Sequence, residues 1–91
     1  MDIRHNESET RFETIIDGHT AVAEYDLEEP RRIVFTHTDV PEQLAGRGIA
    51  NELAKSALAY AREQKLTVVP QCAFMAKFID RHQEYEDLLG R

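Results

Sequence analysis

A glycine-rich turn, Gly46-Arg47-Gly48, stands directly before a helical pattern that begins near Ile49. The first N–H groups of a helix have no partner within the helix, and the helix dipole is positive at that end. Glycines also let the backbone approach an anion without interference from Cβ atoms. The turn is therefore typical of a phosphate site, and the first ligand to consider is a nucleotide-bearing cofactor.

The spacing of small residues also has a purely structural interpretation. Gly46, Gly48 and Ala50 would equally suit a helix that packs tightly on a sheet. A Rossmann dinucleotide site needs a further glycine and an acidic residue about 20 positions later, at the end of a second parallel strand, and this chain has neither. A P-loop is excluded because no Gly-Lys-Ser/Thr sequence follows the turn.

Extended segments precede the glycine turn. Residues 11–16 and 21–25 have strand composition and are joined across Asp17-Gly18, a dipeptide that accepts the positive φ angles of a hairpin turn. Residues 32–38 follow a turn at Glu28-Glu29-Pro30 and are rich in β-branched and aromatic side chains. The sequence therefore predicts an antiparallel hairpin and a third strand that leads into the glycine turn.

The clearest periodic pattern lies after the turn. Apolar residues recur there at helical spacing, with polar residues on the opposite face. The apolar positions are Ile49, Ala50, Leu53, Ala54, Ala57, Leu58 and Ala61. Residues 66–69 predict one more short buried strand, ended by Pro70, so that strand, helix and strand form a parallel crossover. Residues 73–89 predict one or two short helices broken near His82.

Length and composition predict one soluble domain over residues 1–91. Hydrophobic residues make up 42% and charged residues 31%, and no apolar run approaches the roughly 20 residues that span a bilayer. The N-terminus lacks an apolar secretion signal, and a single cysteine forbids an internal disulfide. A cytoplasmic protein without a membrane partner is expected; a monomer is compatible with this composition, which leaves the oligomeric state open.

The charge balance disfavours a nucleic-acid partner. Seventeen acidic and eleven basic residues give a net charge of −6, which repels a phosphate backbone. The pairs Arg31-Arg32 and Lys77 with Arg81 are too sparse to form an offsetting basic patch. An acidic surface suits a cationic substrate better, although excess charge also serves simply to solvate a surface.

The residues around the turn resemble a known cofactor signature. Val40, the segment Gly46-Arg47-Gly48-Ile49-Ala50 and Leu53 look like the acetyl-coenzyme A signature of the GNAT superfamily of N-acetyltransferases, whose usual form is Arg or Gln, two residues, Gly, one residue, Gly or Ala. When the signature is aligned on Val40 and Leu53, Ala45 stands where Arg or Gln is usual. An alignment that starts from Gln43, with Gly46 and Gly48, matches the residue types of the signature but moves Val40 and Leu53 out of their signature positions. The first alignment is therefore preferred.

The resemblance continues beyond the second predicted strand. Val68-Val69-Pro70-Gln71-Cys72-Ala73-Phe74, with Phe78-Ile79, His82 and Tyr85, is similar to the short single-domain branch of the superfamily. The similarity thus covers almost the whole chain. It implies an α+β fold of GNAT type: a mixed, mostly antiparallel sheet with one parallel strand-helix-strand crossover, in which the strands on either side of the helix splay apart.

The resemblance implies a protein that uses acetyl-CoA to acetylate an amine. The pantetheine arm would lie between the splayed strands, residues 36–40 and 66–69, bonded to the backbone of Thr38 and Val40. The pyrophosphate would be held by the N–H groups of Gly46, Arg47, Gly48, Ile49 and Ala50. The Arg47 side chain would add charge, with Lys55 as a more distant candidate, although both side chains equally suit an ordinary solvated surface.

Amine acetylation requires a proton acceptor. A lysine-like amine has a pKa near 10.4, so its deprotonation at pH 7 costs on the order of 4 to 5 kcal/mol without assistance. His37 and Asp39 lie near the end of the third strand, and histidine titrates in a suitable range. A hydrogen-bonded structural histidine is the alternative for His37. His82 and Tyr85 are further candidates for acid or substrate contact, and ordinary packing explains both equally well.

Cys72 is the second catalytic candidate. It falls just beyond a strand end and at the predicted start of a helix, where the dipole favours a thiolate. It would carry an acetyl group or protonate the leaving coenzyme A thiolate. The alternative is a buried cysteine that acts as a small hydrophobe. No metal site is predicted, and the acceptor amine stays unidentified.

A different class of function also fits the sequence. The chain is shorter than a full acetyltransferase, which raises the alternative of a coenzyme A-binding or protein-interaction module without turnover.

Overall fold

Five strands form one sheet in chain order in the computed structural model, which describes residues 1–90. The strands are β1 (Arg4–Asn6), β2 (Arg11–Ile16), β3 (His19–Glu28), β4 (Arg32–Asp39) and β5 (Thr67–Pro70). Strands β1 to β4 pair antiparallel, and β5 pairs parallel with β4. The predicted mixed, mostly antiparallel α+β sheet is confirmed.

The hairpin between β2 and β3 turns at the predicted dipeptide. Asp17 has φ 52° and Gly18 has φ 78°. Positive φ at both central residues matches the twist of the flanking strands, which is why this dipeptide closes a tight hairpin. The second strand of the hairpin begins at His19, earlier than the sequence predicted, and continues to Glu28.

Two α-helices follow the fourth strand. Helix α1 (Ile49–Glu63) connects β4 to β5 and provides the predicted crossover, and helix α2 (Ala73–Arg81) follows β5. The chain leaves helical geometry at His82, which has φ −127° and ψ 79°, and it continues as a 3-10 helix over Gln83–Leu89. The predicted break near His82 is therefore confirmed. No helix within residues 1–90 has the length and apolar character needed to cross a membrane.

The hydrophobic core lies between one face of the sheet and the two helices. Alternate residues of a strand point to opposite faces, and the inward set of each strand packs on the helices. From the sheet these residues are Phe12, Ala21, Ala23, Tyr25, Ile33, Phe35 and Val68; from the helices they include Leu53, Ala54, Ala57, Leu58, Ala61, Met75, Phe78 and Ile79. The small alanine side chains allow α1 to lie close to the sheet.

The opposite face of the sheet carries a network of charged groups. Glu13 is 5% exposed, and its carboxylate accepts a hydrogen bond from Arg11 Nε at 2.7 Å and one from Asn6 Nδ2 at 3.2 Å. These hydrogen bonds, that from Arg11 first, lower the pKa of Glu13 against the effect of desolvation. The buried carboxylate therefore stays ionised, and it has hydrogen-bond donors.

Strand β1 was not predicted from the sequence. It has three residues and no apolar alternation, so no local pattern marks it. His5 holds it in place: the imidazole stacks on Phe12 with ring centroids 4.1 Å apart, and its Nε2 lies 2.6 Å from the Tyr25 hydroxyl. The strand thus depends on partners that are distant in sequence.

Candidate functional site

Strands β4 and β5 separate before β4 ends. Their pairing stops at Phe35 opposite Pro70, and the last backbone hydrogen bond between the two segments runs from the N–H of Cys72 to the carbonyl of Phe35 at 2.9 Å. Strand β4 continues to Asp39, paired with β3. Because β5 is the last strand of the sheet within residues 1–90, the edge of β4 beyond Phe35 has no strand partner. We call this unpaired edge, over residues 36–39, the opening.

A β-bulge coincides with this separation. Phe35 lies opposite Tyr25 and His37 lies opposite Glu24, which leaves Thr36 as an extra residue on β4. A bulge bends its strand and increases the local twist. The extra residue directly follows Phe35, where the pairing with β5 ends, and nothing in the local sequence had indicated it.

Cys72 lies at the base of the opening, as the N-cap of α2. Its Sγ accepts a hydrogen bond from the N–H of Met75 at 3.4 Å and lies 3.4 Å from Oγ1 of Thr38. The residue is 9% exposed. The cysteine therefore has the low exposure of a core residue, and its sulfur lies at a helix N-terminus with two polar neighbours.

His37 and Cys72 lie on different sides of the sheet. Thr38 directs its hydroxyl at Cys72, and neighbouring strand residues point to opposite faces. His37 is exposed and lies opposite Glu24 on the face away from the helices. The two predicted catalytic residues therefore flank the opening without contacting each other.

The glycine turn presents a row of unpaired backbone donors. Gly46 has φ 81° and Gly48, the N-cap of α1, has φ 71°. The first helical hydrogen bond runs from Glu52 to Gly48, and within residues 1–90 the six N–H groups of residues 46–51 have no hydrogen-bond partner. A Cβ built on either glycine would meet no atom within 4 Å, so the space over the turn is open.

A cavity of about 210 Å³ covers this turn. Its lining includes six of the seven residues predicted to bind cofactor: Val40, Gly46, Arg47, Gly48, Ile49 and Ala50. The seventh, Thr38, lies in the adjacent opening. Six of the predicted cofactor residues thus line one cavity. Ala45, at the position where the signature usually has Arg or Gln, lines the same cavity and is exposed.

The two basic side chains near the turn already have partners. Arg47 Nη1 lies 3.3 Å from Oδ2 of Asp17, in the β2–β3 hairpin turn. Lys55 Nζ lies 3.4 Å from Oε2 of Glu52 on the same helix. Sequence reasoning missed the contact between Arg47 and Asp17, which joins two turns 30 residues apart in the chain.

The remaining predicted candidates have structural contacts. His82 donates its Nδ1–H to the carbonyl of Phe78 at 2.8 Å, and the ring of Tyr85 lies 5.8 Å from that of Phe78. A larger cavity of about 340 Å³ adjoins α2 and contains none of the predicted site residues. Within residues 1–90, no cluster of three or more His, Cys, Asp or Glu side chains is suited to a metal ion.

Comparison with known proteins identifies the family. A profile of the family described as GCN5-related N-acetyl-transferase matches residues 11–88, a span that contains the opening, the glycine turn and Cys72. This chain belongs to the GCN5-related N-acetyltransferase (GNAT) family. Proteins of this family typically use acetyl-CoA, and the open space over Gly46 and Gly48, with unpaired N–H donors beside it, fits the diphosphate of that molecule.

Several vertebrate proteins are similar to this GNAT chain. Protein NATD1 of Bos taurus is 33% identical over 79 residues, which cover 85% of the chain and 70% of NATD1. Protein NATD1 of Homo sapiens is 32% identical over 79 residues, with the same coverage of 85% and 70%. Protein NATD1 of Danio rerio is 30% identical over 89 residues, covering 93% and 81%.

A solved structure supports the same fold. The NMR solution structure of a GCN5-like protein from Staphylococcus aureus is 26% identical in sequence and superimposes with a TM-score of 0.76. The match covers 96% of this GNAT chain and 85% of the Staphylococcus aureus protein. The α+β fold, with its mostly antiparallel sheet and one parallel pair, therefore matches a GCN5-like fold.

Proposed function

We propose that this GNAT protein is an acetyl-CoA-dependent N-acetyltransferase that acts on an amine. The observation that carries the proposal is the proximity of two features: an opening beside β4, beyond Phe35 and Pro70, and six unpaired N–H groups at residues 46–51. The first suits an extended arm with amide groups, and the second suits a diphosphate.

The chain would hold the acyl donor mainly through its backbone. The N–H groups from Gly46 to Ala50 would bind the diphosphate, with added charge from Arg47. The backbone of Thr38, on the free edge of β4, and of Val40, just after the strand, would bond the pantetheine amides. Because backbone groups supply most of these contacts, the unusual Ala45 would affect the anchoring of the turn more than contact with the ligand.

Acetyl-CoA would supply an acetyl thioester, and Cys72, at the base of the opening, would meet the reactive end of its pantetheine arm. In a two-step route the Cys72 sulfur bonds to the acetyl carbon, the bond from that carbon to the coenzyme A sulfur breaks, and coenzyme A leaves as a thiol after taking a proton. The acceptor amine then attacks the acetyl-cysteine, restores the thiol and loses its own proton. In a direct route the amine attacks the thioester, and Cys72 protonates the leaving sulfur.

His37 is the proposed proton acceptor for the amine. It lies on the helix-free side of the sheet, beside the same opening, where an amine approaching from solvent would meet it before reaching Cys72. An imidazole nitrogen is a suitable acceptor for the proton that the amine must lose. The net charge of −6 favours a cationic acceptor such as a polyamine or a lysine side chain.

Release of free thiol from acetyl-CoA tests the proposal. Purified protein is mixed with acetyl-CoA and with spermidine or lysine-containing peptides, and free thiol is measured against reactions without protein. Acceptor-dependent release is expected. His37→Gln should lower kcat while binding of acetyl-CoA is unchanged, and the loss should be smallest at high pH, where the amine needs less assistance.

The alternative function predicts different results. A coenzyme A-binding module would bind acetyl-CoA in a calorimetric titration but would release no thiol with any acceptor. Absence of binding at millimolar acetyl-CoA would contradict the proposal altogether. Intact-protein mass spectrometry separates the two routes: an added acetyl group that is absent from Cys72→Ala supports the two-step route, and full turnover by Cys72→Ala eliminates it.

A further inference from the structure

The cavity of about 340 Å³ beside α2 contains none of the residues of the opening or the glycine turn. Its lining comes from the end of β5, from α2 and from the 3-10 helix over Gln83–Leu89. The apolar part of this lining includes the buried Ile79 and the half-buried Pro70 and Leu89. A cavity of this volume is within the range of small-molecule sites, roughly 300 to 1,000 Å³. Its apolar surface suits an aliphatic group.

Three charged side chains complete the lining. Lys77 and Asp80 belong to α2, Glu86 belongs to the 3-10 helix, and all three are exposed. Lys77 and Asp80 have the i,i+3 spacing at which opposite charges can pair on a helix. Within residues 1–90, however, none of the three charges forms an ion pair. The cation and the two carboxylates are therefore available to a ligand.

The 3-10 helix that forms one wall is held in place by contacts outside the cavity. Arg62 on α1 donates two hydrogen bonds to the Asp87 carboxylate, at 2.8 and 3.1 Å, and one to the carbonyl of Glu84 at 2.9 Å. Leu88 of the same segment is 7% exposed and packs in the core. Because this wall is already fixed, a ligand that enters the cavity orders little of the protein.

The arrangement of charges matches a zwitterion. An ammonium group has three donors, so carboxylates on two different elements can share it, and a lysine can pair with a carboxylate. A ligand with negative charge alone would face Asp80 and Glu86, and a ligand with positive charge alone would face Lys77. Only a ligand that carries both charges and an aliphatic group complements the whole lining.

We infer that this cavity binds a free aliphatic α-amino acid such as leucine. The ammonium group lies between Asp80 and Glu86, and the carboxylate contacts Lys77. The aliphatic side chain packs on Ile79 and Leu89. The inference goes beyond the proposed function, because this binding requires neither acetyl-CoA nor Cys72.

NMR titration of the wild type with leucine and three analogues tests the inference. Leucinamide lacks the carboxylate, 4-methylpentanoate lacks the ammonium group, and glycine lacks the aliphatic side chain. Leucine at millimolar concentration should shift the amide signals of α2 and of residues 83–89. Each analogue should bind at least about tenfold more weakly, because it loses a charge-assisted contact or the apolar contact.

Two variants assign the charges to their partners. Lys77→Gln should bind leucine about tenfold more weakly and leucinamide nearly as well as the wild type does, because the amide does not use the lysine charge. Asp80→Asn/Glu86→Gln should lose most of the leucine affinity without weakening 4-methylpentanoate. Glu9→Gln/Glu63→Gln removes the same charge at exposed positions that do not line the cavity and should retain the wild-type affinity.

Several results would overturn the inference. These are the absence of shifts with leucine, shifts confined to residues outside α2 and the 3-10 helix, and equal binding of leucine and 4-methylpentanoate. Leucinamide binding as tight as that of leucine would identify a cationic ligand and would contradict the role of Lys77. The analogue series uses the wild type alone, so it decides the question even where a variant does not fold. Thiol release from acetyl-CoA is a separate measurement, and its failure would affect the proposed function alone.

Discussion

The hydroxyl oxygen of Thr38 lies 3.4 Å from the sulfur of Cys72. The two residues are 34 positions apart, and they meet where β4 and β5 have just separated. Thr38 belongs to the free half of β4, and Cys72 caps the helix that follows β5. This contact therefore marks the base of the opening, and any group that fills the opening meets the sulfur there.

Replacement of Thr38 tests which atom donates in this contact. If the hydroxyl donates to the sulfur, Thr38→Val should slow alkylation of Cys72 by iodoacetamide about fivefold, since a lost hydrogen bond is worth on the order of 1 kcal/mol. Thr38→Ser retains the hydroxyl and should alkylate at nearly the wild-type rate. Equal rates for all three proteins would show that the hydroxyl does not donate to the sulfur.

Cys72 also contributes to stability as a helix cap. Its sulfur accepts the N–H of Met75, and a serine hydroxyl can accept the same hydrogen bond. Cys72→Ala should therefore be less stable than Cys72→Ser by about 1 kcal/mol in urea unfolding. Both variants remove the thiol, so this difference isolates the cap from the chemistry. Equal stability would mean that the capping hydrogen bond has no net effect.

The glycine turn can be tested with two substitutions of similar shape. Gly48 has φ 71°, a conformation that Asn tolerates better than most residues. Gly48→Asn therefore measures how much an uncharged side chain at this position lowers the affinity for acetyl-CoA. Gly48→Asp has nearly the same size but places a negative charge beside the unpaired N–H groups. Acetyl-CoA affinity measured by calorimetry should be at least about tenfold lower for Asp than for Asn. Equal affinities would place the diphosphate elsewhere.

The ion pair between Arg47 and Asp17 should oppose binding of the donor. The two side chains are about half exposed or more, and the Asp17 carboxylate competes with a diphosphate for the guanidinium. Asp17→Asn keeps a residue that tolerates positive φ in the hairpin turn and should raise acetyl-CoA affinity about two- to threefold at low salt, with a smaller gain at 0.5 M salt. Asp26→Asn, an equal charge change on an exposed part of β3, is the control. A loss of affinity in Asp17→Asn would contradict the competition.

His5 should make stability depend on pH. Burial lowers the pKa of His5 from 6.5, partly opposed by the negative charge of Glu7. Because the unfolded chain has the higher pKa, it takes up the proton first as the pH falls. The His5 contribution is therefore complete above about pH 6.5 and is lost as the pH drops from 6.5 through the lowered folded-state pKa.

Urea unfolding between pH 8 and pH 5 measures this effect. His5→Gln should flatten the dependence in that window, whereas His19→Gln, which leaves the contacts of His5 with Phe12 and Tyr25 intact, should retain it. A wild-type protein whose stability does not fall between these pH values would contradict the prediction.

Local sequence patterns were sufficient to predict the elements whose conformation depends on residues close together in the chain. The hairpin follows from Asp17-Gly18, because the turn geometry depends on those two residues alone. Helix α1 follows from its apolar periodicity, and the N-cap position of Cys72 follows from its place between a strand pattern and a helix pattern. In each case the determining interactions lie within a few residues of each other.

Features that depend on distant partners were not predictable in this way. Strand β1 is held by contacts of His5 with Phe12 and Tyr25, and the bulge at Thr36 appears only when β3 and β4 are paired. The pairing of Arg47 with Asp17 likewise depends on how the hairpin lies beside the glycine turn. Register between strands is a property of the whole sheet, which local composition does not specify.

The same distinction applies to the candidate site. The order of residues already specifies a donor-rich turn at Gly46 to Ala50 and a capping cysteine, because backbone conformation and helix ends are set by near neighbours. Folding determines that β4 extends beyond β5, and that Thr38 reaches Cys72 while His37 points to the other face of the sheet. These relations arise from packing between segments far apart in the chain, where geometry depends on the sum of many contacts rather than on any short run of residues.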